Sequence, residues 1–206
     1  MSDNRTPADL AGRRAIVFGG DTALGRALAA ALRDAGALVG VTGTTTDGQA
    51  LFALKRAAAG GPAEATDLAN PTSVRVATKK LRKALGGLDL AALVLHVSTL
   101  ERSAAAAAEP LRIAAKEIAR GAGADASRVA LIVAEAGPGG DAQRFDLRSL
   151  LNSIAATTAI ALLVPESPDA QAVGRTAVAL LADRGDLVPA DATVVEAAPA
   201  AAGSRR

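Results

Sequence analysis

The chain contains no cysteine, no tyrosine and no tryptophan, and it carries one histidine. Without cysteine there is no disulfide framework and no thiolate metal site. One histidine cannot build a multi-histidine metal site either. Aromatic residues amount to 1% of the sequence, with Phe18, Phe52 and Phe145 the whole set. A protein so poor in rings has no stacking platform for single-stranded nucleic acid. Long apolar runs are missing too: the longest, Ile154 to Val164, is too short to span a bilayer. Met1 to Leu10 is polar and has no apolar h-region, which predicts no signal peptide and a cytoplasmic protein. Neither sign of charge dominates, with 23 Lys and Arg against 21 Asp and Glu, a net +2. The pI of about 9.4 follows from the same absences. Almost nothing in this chain titrates between the carboxylates and the lysines, so a small positive excess persists to high pH. The basic pI is therefore no sign of nucleic-acid binding.

Half of the 206 residues are hydrophobic, enough for a sizeable core built from Ala, Val, Leu and Ile. The length suits one compact domain over 1–206, with an ordered core of about 10–196 and a disordered tail. Strand-like and helix-like segments alternate along it. Strands are predicted at Arg13–Gly19, Ala37–Thr42, Ala63–Thr66, Leu90–His96, Arg128–Ala134, Thr158–Val164 and Ala192–Glu196. Helices are predicted at Leu24–Ala35, Gln49–Ala59, Pro71–Leu85, Ser103–Arg120 and Phe145–Ala156, and after the Ser167-Pro168 start signal as far as Asp183. This order implies right-handed parallel βαβ units: a Rossmann-like, doubly wound parallel α/β sheet of about seven strands in three layers. Arg75, Lys79 and Lys83 share one helical stripe and read as a solvated face.

The first turn, Phe18-Gly19-Gly20-Asp21-Thr22-Ala23-Leu24-Gly25-Arg26, lies between a predicted strand and a predicted helix. Glycines there allow a tight turn, backbone approach to a pyrophosphate and close helix–strand packing, while N–H groups at the helix start hold phosphate. The turn resembles the T-G-x-x-x-G-x-G pattern of the short-chain dehydrogenase/reductase family. Gly19 and Gly25 match, Phe18 stands for the threonine and Ala23 for the middle glycine. Thr66-Asp67-Leu68, Asn70-Pro71-Thr72-Ser73-Val74, Gly87-Leu88-Asp89-Leu90 and the stretch Ala172–Val195 are similar to later family segments, in order. The resemblance covers about Leu10 to Glu196. It implies a nucleotide cleft with Gly19, Gly20, Leu24, Gly25, Thr44, Asp67 and Leu68 as the cofactor-binding candidates.

The same resemblance fails where chemistry is done. Leu95-His96-Val97-Ser98 stands in place of N-N-A-G, and Val133-Ala134-Glu135-Ala136 in place of the segment with the substrate-polarising serine. Phe145 and Ser149 fall at the Tyr-x-x-x-Lys spacing, and phenylalanine has no proton to give. The lid insertion after the sixth strand is missing. No catalytic residue is assigned, although Glu135 is a candidate substitute acid, with Asp141 and Asp146 following it. His96 reads as a polar strand end. The second strand runs into Val41-Thr42-Gly43-Thr44-Thr45-Thr46, without the acid that binds the ribose of NAD or the arginine that favours NADP.

These departures predict no cofactor or weakly held NAD(P), and no metal. What they imply is a non-catalytic subunit that associates with an intact oxidoreductase of the family. The pairing, in a hetero- or homo-oligomer, would run through the helices at about 103–120 and 145–156, with Ala115 on the contact face. No nucleic acid or membrane partner is expected. The alternatives are an NAD(P)-binding oxidoreductase with non-standard residues and a nucleotide sensor.

Overall fold

The computed structural model describes residues 9–44, 52, 54–56, 58–96, 106–120, 128–134, 147–154, 158–164, 169–183 and 193–197. Strands run over Arg14–Phe18 (β1), Leu38–Gly43 (β2), Ala63–Ala65 (β3), Leu90–His96 (β4), Arg128–Ala134 (β5), Thr158–Val164 (β6) and Thr193–Ala197 (β7). Helices run over Ala23–Asp34 (α1), Pro71–Leu85 (α2), Glu109–Ala119 (α3), Leu147–Asn152 (α4) and Ala170–Leu181 (α5). The strands form one sheet in the order β3-β2-β1-β4-β5-β6-β7. This is the Rossmann-like, doubly wound arrangement expected from the alternation of elements.

The first six strands are parallel, and β7 lies antiparallel beside β6, with Leu163 opposite Thr193 and Ala159 opposite Ala197. The alternation of strands and helices predicts a parallel β7, and the pairing corrects it. An edge strand has one neighbour, so a short apolar run fits either direction, and antiparallel edges on parallel sheets are common.

Both faces of the sheet are covered, which explains its continuous apolar strands. Ala15, Val17, Leu90, Ala92, Ile160 and Leu162 pack on the α1 and α5 side. Their neighbours Ile16, Phe18, Ala91, Leu93, Ala159 and Ala161 pack on the α2, α3 and α4 side. Small residues bring helices close: a Cβ on Gly174 of α5 would lie 3.1 Å from the Ala27 carbonyl oxygen and 3.2 Å from Ala31 Cβ on α1.

Helix ends follow local chemistry. Asn70 caps α2 by accepting from the Thr72 and Ser73 N–H groups, Pro71 opens it, and Gly86 ends it at φ 74°. Arg75, Lys79 and Lys83 are all exposed, as a solvated stripe requires. One predicted start shifts. The cap of α5 is Asp169, which accepts from Gln171 and Ala172 N–H, rather than Ser167. The α3 helix carries Pro110 in its first turn, where a missing N–H is tolerated; Ala106 and Ala107 ahead of it are helical as well, and the predicted start at Ser103 lies outside the described residues.

Arg14 and Asp89 clamp the start of β1 to the start of β4. Arg14 donates from Nε and Nη2 to the two carboxylate oxygens at 2.7 and 2.6 Å, and its backbone N–H adds a third bond of 2.9 Å. Asp89 N–H returns a bond to the Arg14 carbonyl at 2.9 Å. The guanidinium bonds hold the Asp89 carboxyl below its ordinary range, against the opposing effect of burial. A carboxyl whose folded pKa is depressed stabilises the fold above its unfolded pKa, and that contribution is lost as pH falls through the folded value. Asp89→Asn is therefore expected to cost about 2–3 kcal/mol at neutral pH. The difference should shrink in strong acid, as read by urea unfolding of both proteins across the acid range. A cost that does not change with pH would show that the ion pair is not its source.

Candidate functional site

The sheet changes direction of winding between β1 and β4, and ligands of such sheets bind at that point, beyond the carboxyl ends of the strands. The glycine turn lies there. Phe18 ends β1 fully buried, and Gly19 follows at φ 84°, a conformation that favours glycine. Thr22 Oγ1 donates to the Gly19 carbonyl at 2.8 Å and accepts from Gly25 N–H at 2.9 Å, so one hydroxyl both closes the turn and caps α1. Gly20 N–H donates to the Thr42 carbonyl at 2.7 Å, fastening the turn to β2. A Cβ on Gly25 would lie 2.0 Å from the Gly19 oxygen. The N–H groups of Ala23 and Leu24 have no acceptor among the described residues, and Ala23 is exposed. They leave two donors at the positive end of a helix, a chemistry suited to an anion.

Beside this turn the structure brings together residues that the sequence left apart. Asp21 Oδ2 accepts from Thr44 N–H at 3.0 Å and from Thr44 Oγ1 at 2.9 Å. A Cβ on Gly43 would lie 2.9 Å from Asp21 Cβ and 3.0 Å from its Cγ. Arg26 Nη1 donates to the Asp21 carbonyl at 2.6 Å. Thr44 is thus at the site, with its N–H and hydroxyl turned to Asp21. The sequence reading missed Asp21. The signal was the parallel pairing itself: Phe18 stands opposite Thr42, which sets the residues after Phe18 beside Gly43 and Thr44.

One strand further out, Thr66 N–H donates to the Gly43 carbonyl at 2.9 Å. Asp67 follows, exposed, with Oδ1 accepting from Ala69 N–H at 2.9 Å and its own N–H donating to Ser73 Oγ at 3.2 Å. Leu68 is half-buried against the core. Gly19, Gly20, Leu24, Gly25 and Thr44 therefore gather at the ends of β1 and β2, and Asp67 and Leu68 line the end of β3.

The backbone of His96 is the last residue of β4, opposite Ala134. Glu135, Asp141, Phe145 and Asp146 lie outside the described residues, and Ser149 falls within α4. Among the described residues no cluster of His, Cys, Asp or Glu could hold a metal ion. No helix among them is long and apolar enough to cross a membrane. Two cavities, of about 300 and 480 Å³, lie at the opposite end of the sheet, where they border Arg128 and Arg14 at strand starts.

The expected contact helix needs correction. Ala115 is fully buried in the core with Leu111, Ala114 and Ile118, because α3 lies on the sheet and beside α2. Its outward residues are Lys116, Ala119 and Arg120, with Glu109 and Arg112 half-buried. Glu117, though buried, is bonded to Arg120 and Arg82. The outer face of α3 is polar, not an apolar stripe.

No protein-family profile matches the sequence, and no curated protein matches it. Solved structures do. A short-chain dehydrogenase/reductase from Serratia marcescens is 25% identical, over 73% of this chain and 69% of its own, with a TM-score of 0.54. BdcA (YjgI) from E. coli is 19% identical, over 86% of this chain and 95% of its own, with a TM-score of 0.63. The chain has the short-chain dehydrogenase/reductase fold.

Proposed function

We propose that this chain is a non-catalytic relative of the short-chain dehydrogenases/reductases, which keeps the nucleotide end of the scaffold and serves as a structural or regulatory subunit for an oxidoreductase of the same fold. One observation carries the reading: a chain with this fold contains no tyrosine at all. Carbonyl reduction in the family needs a phenol to pass the proton, and no other phenol exists here to replace it.

The described site fits the adenosine and pyrophosphate part of a dinucleotide. Ala23 and Leu24 N–H would hold the pyrophosphate over the Gly19-Gly20 turn, and Thr44, Asp67 and Leu68 would surround the adenosine. A bound nicotinamide cofactor would supply hydride. This chain's residues would bind and orient it without moving a proton. Binding is expected to be weak, because Ala23 adds a methyl where the family has glycine. The free donors at α1 favour a second reading, a nucleotide sensor without turnover.

The partner reading is tested on the outer face of α3 and on α4. Purification from the native host is expected to recover a second protein of the same fold, identified by mass spectrometry. Lys116→Glu reverses an exposed charge without touching the core and should lower that recovery about tenfold, with the unfolding midpoint unchanged. A monodisperse monomer at high concentration, with no such partner recovered, would rule the subunit reading out.

A further inference from the structure

We infer that Asp21 is the ribose-recognition residue of this cleft, so that the cleft takes an adenosine dinucleotide with a free 2′-hydroxyl and refuses one with a 2′-phosphate. The inference rests on the reading of a residual nucleotide cleft and says which of its possible ligands is admitted.

The starting point is a missing side chain. In dinucleotide-binding sheets an acid about twenty residues past the glycine turn accepts a hydrogen bond from the ribose 2′-hydroxyl. Here β2 ends in Gly43, followed by Thr44, and offers no acid. The space beside Gly43 is nevertheless filled. A Cβ built there would lie within 2.9 Å of Asp21 Cβ and 3.0 Å of its Cγ. The carboxylate that β2 does not supply arrives from the glycine turn instead.

It is also held in place. Oδ2 takes both donors of Thr44, at 3.0 and 2.9 Å, which fixes the carboxylate plane and leaves Oδ1 without a donor among the described residues. An ionised carboxylate only accepts, so Oδ1 is suited to a hydroxyl and repels a phosphate dianion. Asp21 is exposed, and its backbone carbonyl is tied down by Arg26. The arrangement explains Gly43 as well: any side chain there would displace Asp21.

Calorimetry with NAD⁺, NADP⁺ and ADP-ribose tests the assignment on the intact chain. NAD⁺ and ADP-ribose are expected to bind about tenfold or more tighter than NADP⁺. Asp21→Asn keeps the shape and the Thr44 contact but removes the charge, and should bring the NAD⁺ to NADP⁺ ratio close to one. The double variant Asp21→Gly with Gly43→Asp returns the acid to β2 and should restore the preference. Unfolding midpoints check that each variant folds; a merely structural Asp21 would weaken all three ligands together. A ratio that Asp21→Asn leaves unchanged, with ADP-ribose still bound, overturns the assignment but not the cleft. Tighter binding of every ligand by Asp21→Asn overturns it too, by making the carboxylate a plug. No binding of any ligand at millimolar concentration overturns both the assignment and the cleft, and leaves the subunit reading to stand on partner recovery.

Discussion

Gly25→Ala is expected to lower stability by about 3 kcal/mol or more, seen as a lower urea midpoint with an unchanged m-value. The new Cβ would lie 2.0 Å from the Gly19 oxygen, 2.7 Å from its carbonyl carbon and 3.0 Å from Gly20 Cα. All three are backbone atoms, so no side chain can swing away. The turn cannot retreat either. Gly20 is bonded to Thr42 on one side, and the Val94 oxygen lies 3.1 Å from the Cβ position of Gly19 on the other. Alanine's better helix propensity returns only about 1 kcal/mol. Gly12→Ala is the contrast: nothing lies within 4 Å of its Cβ position, and only its φ of 72° opposes the change. That variant should lose about 1 kcal/mol. If Gly25→Ala cost no more than Gly12→Ala, the close packing of turn on helix would be wrong.

The same geometry says what the glycines of this loop mean. The two that match the family pattern are those the fold itself requires, Gly19 for its positive φ and Gly25 for lack of space. The position that has become Ala23 is exposed, and packing places no demand on it. Glycine at these two positions is therefore explained by folding alone, and a nucleotide ligand is supported by Ala23 and Leu24 N–H and by Asp21.

Much of the fold was legible because its signals are local. Buried parallel strands read as apolar runs, and Asn70-Pro71 and Gly86 mark both ends of α2 by their own conformational limits. The glycine turn was placed correctly between β1 and α1. What was not legible depends on neighbours in space. The direction of β7 is set by one partner at a sheet edge. Ala115 looks like any alanine on a small-residue helix until the sheet and α2 are packed around it. Asp21 reads as a loop acid until β1 and β2 pair, which carries it to Thr44, 23 residues on. The site was thus half-visible: its turn lay in the sequence, and its acid had moved to a place where no spacing rule looks.

The purified chain is expected to reduce neither ketones nor acyl thioesters with NADH or NADPH. Hydride transfer to a carbonyl forms an alkoxide, which must take a proton from a positioned acid. Losing such an acid typically costs ~10²–10⁴ in rate. Ser149 stands at the spacing where the resemblance would put a ribose-holding lysine, and β6 leads towards α5 without room in the sequence for a long lid. Loss of positioning then adds to loss of the proton donor. One residue could rescue the chemistry. In the sequence Glu135 comes next after Ala134, the last residue of β5, and ligands in this architecture bind beyond the carboxyl ends of the strands. A carboxyl with a raised pKa can act as a general acid. The assay must therefore include Glu135→Gln and a sample free of host reductases. Turnover that survives the substitution points to a contaminant or to a co-purified partner enzyme, and repurification should remove it. Robust turnover that vanishes with Glu135→Gln would overturn the non-catalytic reading and make this carboxyl the proton donor that took the place of tyrosine.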